Sequence, residues 1–221
     1  MSKLKLYYDV VSPYSWFGVE LLMRYKSRWP SVQFELVPFS LGGVMQLSEN
    51  QPPATNPKKG AQMLKEINFL KGMYDVDIGY PKDFPQLTLH AQRILTALRL
   101  QKSDKLEAAS KAFWKLYWRD EKSITSKEDL FAYLAPIVGK EHATKLVEVD
   151  SQTPQVKQEL IRVTKEAVEV HGAFGAPWIV CEREGKEAMA FFGSDKVEAI
   201  AYYFGVKYEG PCPPGYKQSK L

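Results

Sequence analysis

Strand-forming patterns crowd at the two ends of this 221-residue chain and are hard to find from 60 to 170. Residues 3–9 (KLKLYYD) alternate, with Leu4, Leu6 and Tyr8 on one side, and residues 32–38 (VQFELVP) alternate again. Between them Phe17, Leu21, Leu22, Tyr25 and Trp29 fall near helical spacing over 13–29, up to Pro30. A strand, helix and strand joined by short links form a βαβ unit with parallel strands and a right-handed crossover. At the other end, residues 177–181 (PWIVC) and 187–192 (EAMAFF) are short β-type runs. The link between them is of hairpin length and contains Gly185, and 195–204 reads as a helix stopped by Gly205.

The middle is different. The run SENQPPATNPKKG makes 40–60 polar and Pro-rich, a loop or linker. Helical stripes follow: Met63, Ile67 and Leu70; Leu87, Ala91, Ile94, Leu95 and Leu98; Leu106, Ala109, Phe113 and Leu116. The clearest is Val156, Leu160, Val163, Ala167 and Val170. The expected class is α/β: a thioredoxin-like βαβ…ββα fold with an inserted all-helical domain. Residues 1–55 and 171–221 would form the thioredoxin-like domain and 56–170 the insertion.

Hydrophobic residues make up 45% of the chain, enough for a core without metals or disulfides. Lys and Arg number 30 against 26 Asp and Glu; a spread net charge of +4 argues against nucleic acid and suits an anionic small molecule. Cys181 lies in an apolar run and Cys212 between prolines, with no C-x-x-C and no zinc-binding spacing, so no metal is expected and a reducing compartment is favoured. No apolar run is long enough for a membrane span, and no secretory h-region opens the chain. The last residues, Ser219-Lys220-Leu221, match the triplet read by the peroxisomal import receptor. Peroxisomal import is the expectation, with a mitochondrial location as the alternative.

Four places are candidates for chemistry. Ser12-Pro13, inside YYDVVSPYSW, satisfies the rules for a helix start with no further role. A serine hydrolase is disfavoured, because the histidines are His90, His142 and His171 and no G-x-S-x-G elbow exists. A hydroxyl at a helix N-terminus can also donate to a thiolate carried in by a substrate, where free N–H groups already favour an anion. At Gly175-Ala176-Pro177-Trp178, a loop proline opening a strand is one reading; a cis bond presenting the Ala176 backbone to a peptide-like ligand is the other. In Phe192-Gly193-Ser194-Asp195, Ser194 or Asp195 is a helix cap by spacing, with Asp195 and Glu198 at capping-box distance; an α-amino group and a carboxylate are alternative partners. Asn50, Lys58 and Lys59 are solvated loop residues or charges beside a cleft.

Tyr8-Asp9-Val10-Val11-Ser12-Pro13-Tyr14-Ser15-Trp16 resembles the YDV-x-SPYSW start of the kappa-class glutathione transferases. Asn50-Gln51-Pro52-Pro53, Pro57-Lys58-Lys59-Gly60, Gly172-Ala173-Phe174-Gly175, Phe192-Gly193-Ser194-Asp195 and Gly210-Pro211 with Pro213-Pro214 resemble further pieces of that family, in the same order and over nearly the whole chain. The resemblance implies a DsbA-like fold, a glutathione-binding thioredoxin-like domain and a homodimer. It also implies roles. Ser12, with Pro13 and Tyr14 beside it, would be the catalytic residue stabilising the glutathione thiolate. Ala176, before a cis Pro177, would pair with the cysteinyl part, Ser194 and Asp195 would hold the γ-glutamyl end, and Asn50 and Lys59 would reach the glycine end. Ser12 and Ser15 stand where redox relatives carry a C-x-x-C, so dithiol exchange there is excluded. Ala176 is often larger in the family, and Lys196 replaces an Arg of some relatives, which points to a roomier electrophile pocket.

Three activities compete. One is glutathione conjugation of a small hydrophobic electrophile or reduction of a peroxide, a detoxification role. The second is glutathione-dependent isomerisation of the 2-hydroxychromene-2-carboxylate type. The third is a non-catalytic glutathione- or lipid-binding protein. In the first, the cleft would be apolar and lie between the domains; Tyr14 and Trp16 are candidates to line it, with core packing as their default reading.

Overall fold

The computed structural model describes residues 2–217; Ser219, Lys220 and Leu221 lie outside the described residues. Strand β1 (Ser2–Tyr8) runs parallel to β2 (Val32–Pro38), with Leu4 opposite Phe34, across helix α1 (Pro13–Met23). It also pairs antiparallel with β3 (Trp178–Arg183), which pairs with β4 (Met189–Phe192). The order β2-β1-β3-β4 joins the two ends of the chain along β1 and β3. Between β2 and β3 lie α2 (Leu41–Leu47), α3 (Pro57–Tyr74), α4 (Leu89–Leu100), α5 (Leu106–Trp114), α6 (Lys127–Val138), α7 (Lys140–Glu148) and α8 (Pro154–Lys165). Helix α9 (Val197–Phe204) follows β4 and ends at Gly205, whose φ of 67° is left-handed. This is the expected α/β arrangement, a thioredoxin-like sheet interrupted by helices.

Four local expectations are corrected. Residues 40–60 are not one loop. Ser40 caps α2 by accepting from the Gly43 N–H at 3.2 Å, and Leu41 and Val44 are buried. A Cβ on Gly43 would stand 3.1 Å from Thr164 Cγ2, so the glycine permits close approach of α8. Asn56 caps α3, which opens on Pro57. The prolines and polar residues of this stretch hid only the start of α3, and α2, seven residues with two glycines, carries no periodic signal.

Helix α1 stops at Met23 rather than 29, yet Tyr25 and Trp29 stay buried. The turns after it are held by the C-terminal segment: Arg24 Nη1 donates to the Pro211 carbonyl at 2.7 Å and Trp29 Nε1 to the Lys207 carbonyl at 2.9 Å. In the last helical stripe Val156, Leu160, Val163 and Ala167 are buried but Val170 is 71% exposed. A π-helical turn over Glu166–Val170 changes the residue phase there. The α4 stripe also loses its end member: Leu87 is exposed and precedes the helix.

The fourth concerns Ser194 and Asp195. Both fall inside a 3₁₀ turn (Ser194–Lys196), and neither side chain caps α9. The Asp195 carboxylate instead meets Lys196 Nζ.

Candidate active site

Strand β1 delivers the chain to a loop whose amides at Val10, Val11 and Ser12 are each hydrogen-bonded. Asp9, 2% exposed, accepts from the Val11 N–H (3.0 Å) and the Thr88 hydroxyl (2.6 Å) on one oxygen, and from the Leu41 N–H (2.9 Å) on the other. One carboxylate thus joins the β1–α1 loop, the start of α2 and the start of α4. Burial pushes its pKa above the ordinary carboxylate value, while the three donors pull it back.

Side chains of the helical segment complete the loop. Gln92 Nε2 donates to the carbonyls of Tyr8 (2.8 Å) and Phe39 (2.7 Å). Trp118 Nε1 donates to the Val10 carbonyl at 3.0 Å and Trp114 Nε1 to the Ser12 carbonyl at 3.3 Å. Unpaired carbonyls in this water-poor position would be costly.

Ser12, 4% exposed, is the N-cap of α1: its Oγ accepts from the Ser15 N–H at 3.1 Å. The same hydroxyl donates to the Ala176 carbonyl at 3.2 Å. Pro13 has no N–H, and the Trp16 N–H donates to the Ser12 carbonyl. The Tyr14 N–H has no partner among the described residues and is the free donor of this helix end. Ser15 itself is fully buried, its Oγ without a hydrogen bond.

The Ala176–Pro177 bond is cis, the geometry the resemblance implies. Pro177 sits against α1 at Gly18, where a Cβ would lie 3.2 Å from Pro177 Cγ and 3.9 Å from Ser194 Cα. The Gly193 N–H donates to the Pro177 carbonyl at 3.1 Å. These contacts set Ser194, 3% exposed, close to Pro177 and to α1 at Gly18. The Asp195 side chain is exposed beside it.

A cavity of about 520 Å³ opens over Ser12. Its walls include Pro13, Tyr14, Asn50 and Ala176, with Leu41, Met45 and Phe84 making it largely apolar. Asn50 Nδ2 donates to the Phe174 carbonyl at 2.7 Å, tying the α2–α3 loop to the segment before the cis bond. Lys59 lines an adjoining groove that shares Tyr14, Pro53 and Met63 with this cavity. Tyr14 is half-buried and donates to Glu66; burial and that carboxylate raise its pKa. Trp16 is not a wall residue: it is 1% exposed and stacks on Trp114 at 6.5 Å.

The structure therefore gathers Ser12, Pro13, Tyr14, Asn50 and Ala176 around one cavity, puts Lys59 in the next groove, and leaves Pro177, Ser194 and Asp195 on the flank. Asp9, Thr88, Gln92, Trp114 and Trp118 carried no assigned role in the sequence. Asp9 had a signal, a charged residue closing an apolar strand; the other four read as ordinary helix positions. Cys181 is buried, as its apolar run suggests, and both cysteines are free. No cluster of metal-ligating side chains occurs among the described residues.

A family model described as a DSBA-like thioredoxin domain matches residues 3–205. The chain is 38% identical over 216 residues to glutathione S-transferase kappa 1 of Rattus norvegicus, covering 96% of this chain and 94% of that one. It is 37% identical over 217 residues to the Homo sapiens protein of the same name, with 96% and 94% covered. The solved structure of a 2-hydroxychromene-2-carboxylate isomerase superposes with a TM-score of 0.73 at 14% identity, covering 92% of this chain and 94% of that one, a likeness of fold. The matched model and the near full-length relatives agree with the site's layout: the chain belongs to the DSBA-like thioredoxin-domain family and, within it, to the kappa glutathione S-transferases.

Proposed function

We propose that this protein is a glutathione transferase in which Ser12 stabilises the glutathione thiolate. The observation that carries the reading is the Ser12 hydroxyl, held at the N-terminus of α1 and 3.2 Å from the Ala176 carbonyl, beneath an apolar cavity. Free glutathione has a thiol pKa of about 8.5, so a few per cent is thiolate at neutral pH. A charge-assisted hydrogen bond contributes ~1.5–3 kcal/mol and a helix terminus ~0.3–1, at about 1.4 kcal/mol per pKa unit. Together they bring the bound thiol to about 6–7.

Glutathione's cysteinyl backbone would pair with Ala176. Its N–H competes for the carbonyl that holds the Ser12 proton, turning that proton toward the sulfur. Tyr14 offers its free N–H to the same anion. Ser194 and Asp195 hold the γ-glutamyl end, and Asn50 and Lys59 the glycine carboxylate. The thiolate then forms a C–S bond with an electrophilic carbon while the leaving group departs with its electron pair. With a peroxide it takes one oxygen, releasing an alcohol; the sulfenate picks up a proton from solvent, and a second glutathione thiol converts the sulfenic acid to the disulfide and water.

Turnover of chlorodinitrobenzene, with retention on immobilised glutathione, tests this reading. Retention without turnover of electrophile or peroxide would leave a glutathione-binding protein. Conversion of a chromene carboxylate without net glutathione consumption would make it the isomerase. Failure of retention would remove glutathione altogether. A homodimer and peroxisomal import through Ser219-Lys220-Leu221 belong to the same proposal. Sedimentation checks the first, and the location of a tagged chain lacking the triplet checks the second.

A further inference from the structure

A second cavity, of about 260 Å³, lies where α8 and α4 meet α2. Its floor is apolar: Leu160 is buried, while Leu47, Leu89 and Ile161 are 44%, 44% and 56% exposed. Its charged walls all have one sign, from Arg93 on α4 and from Lys157 and Lys165 on α8. None of the three makes an ion pair with a described residue, and the Nε of Arg93 is buried without a hydrogen-bond partner.

The contrast along α8 is sharp. Arg162 faces the other way and is held by Glu159 and Glu166, both at 2.7 Å. Arg99, further along α4, also buries an unpartnered Nε, but its two Nη atoms are held by Glu35 and Glu159. Elsewhere on these helices cations are neutralised; here three are left to converge over apolar side chains. A half-buried guanidinium without a partner is a site short of an acceptor.

This cavity is not isolated. Ser40, Gly43 and Leu89 line both it and the cavity over Ser12. We propose that Arg93, Lys157 and Lys165 form a carboxylate-binding subsite for an amphiphile whose apolar body extends along Leu89 toward Ser12. The planar fork of Arg93 matches a carboxylate bidentately, and the lysines add point charges. The apolar floor requires a hydrocarbon rather than a sugar or peptide beside that carboxylate. As a description of the second substrate the proposal rests on the transferase reading; as a binding site it does not need glutathione.

The test is direct binding of oleate and of methyl oleate to the full chain without glutathione, by calorimetric titration. Oleate should bind about 10-fold or more tightly than the ester, one charge-assisted contact being worth at least that factor. Arg93→Gln should abolish the preference. The double change Lys157→Gln with Lys165→Gln, at one partly exposed and one exposed position, should reduce it several-fold and guards against misfolding of the Arg93 variant. Equal binding of acid and ester, or a preference that survives in both variants, would overturn the proposal. Chlorodinitrobenzene turnover by the unaltered protein is measured in parallel. If turnover is absent while the charge preference holds, the transferase reading fails and the subsite stands.

Discussion

The Ser12 hydroxyl and the Ala176 carbonyl, 164 residues apart in the chain, face each other at 3.2 Å. That separation is long for an O–H···O bond, so the proton is weakly held and a charged acceptor can take it. The same oxygen accepts from the Ser15 N–H, so cap and proposed catalyst are one atom.

Ser12→Ala should separate those duties. Loss of the cap costs about 1 kcal/mol of stability, which the fold can absorb. Glutathione should bind within a few-fold of the parent. The bound thiolate's ultraviolet absorbance should titrate about 1–2 pH units higher, from the lost charge-assisted hydrogen bond. An unchanged titration would reduce Ser12 to a cap.

Lys59→Ala should raise the Kd for glutathione by roughly 2–5-fold, since the lysine is exposed and such charges are screened. The effect should shrink in high salt, and kcat should hold. A fall in kcat at saturating glutathione would assign Lys59 another role.

Gly18→Val should disturb the site from behind. A Cβ there already lies 3.2 Å from Pro177 Cγ, and branching pushes methyl groups into the same space. Overpacking of this kind costs about 1–3 kcal/mol, visible in thermal denaturation. Glutathione affinity should fall with it, because Ala176 and Ser194 flank the displaced proline. Intact stability and affinity together would mean that α1 simply moves aside.

Asp9→Asn should loosen three segments at once. The amide brings its own donor to a place where two N–H groups and one hydroxyl already point. A loss of about 2–4 kcal/mol is expected from unpaired buried groups. Amide exchange at Val11 and Leu41 should accelerate together; acceleration at one alone would show that the carboxylate does not couple the loops.

Glu166 gives a pH prediction. Burial raises its carboxyl pKa, but the Tyr7 hydroxyl at 2.9 Å, Arg162 at 2.7 Å and Lys5 at 3.5 Å outweigh that and bring it down to about 2. A depressed carboxylate contributes stability above its unfolded value of about 4.3, and loses it as pH falls toward the folded value. Glu166→Gln should therefore be about 1 kcal/mol less stable at pH 7, a partly exposed network being screened. The gap between the urea midpoints should narrow as pH drops below 4. A constant gap would place the effect in packing.

Legibility differed by element. Strands β1 and β2 followed the alternation within a residue, because side chains of an extended chain point to opposite faces with period two: Leu4, Leu6 and Tyr8 join one core and Tyr7 and Val37 the other. Helix α2 was missed: seven residues with two glycines carry no periodic signal, and its burial comes from α8. Val170 broke its stripe because a π-helical turn, set by packing, lies beneath it. Within the site, Ser12 and Ala176 were readable as candidates, and the resemblance paired them.

The sequence by itself determined the βαβ and ββα ends with helices between them, the helix start at Ser12-Pro13 and the family pieces around it, because caps, turns and periodicity are local properties. Tertiary structure alone decided what surrounds Ser12. Gln92, Trp114 and Trp118 reach the segment of residues 8–12 from 84 to 108 residues away in the chain, and Arg93 and Lys157 come to line one cavity. Such contacts leave no local trace: a Trp that packs and a Trp that also donates to a loop carbonyl satisfy the same helical stripe. Only the fold fixes which buried polar group each must pair.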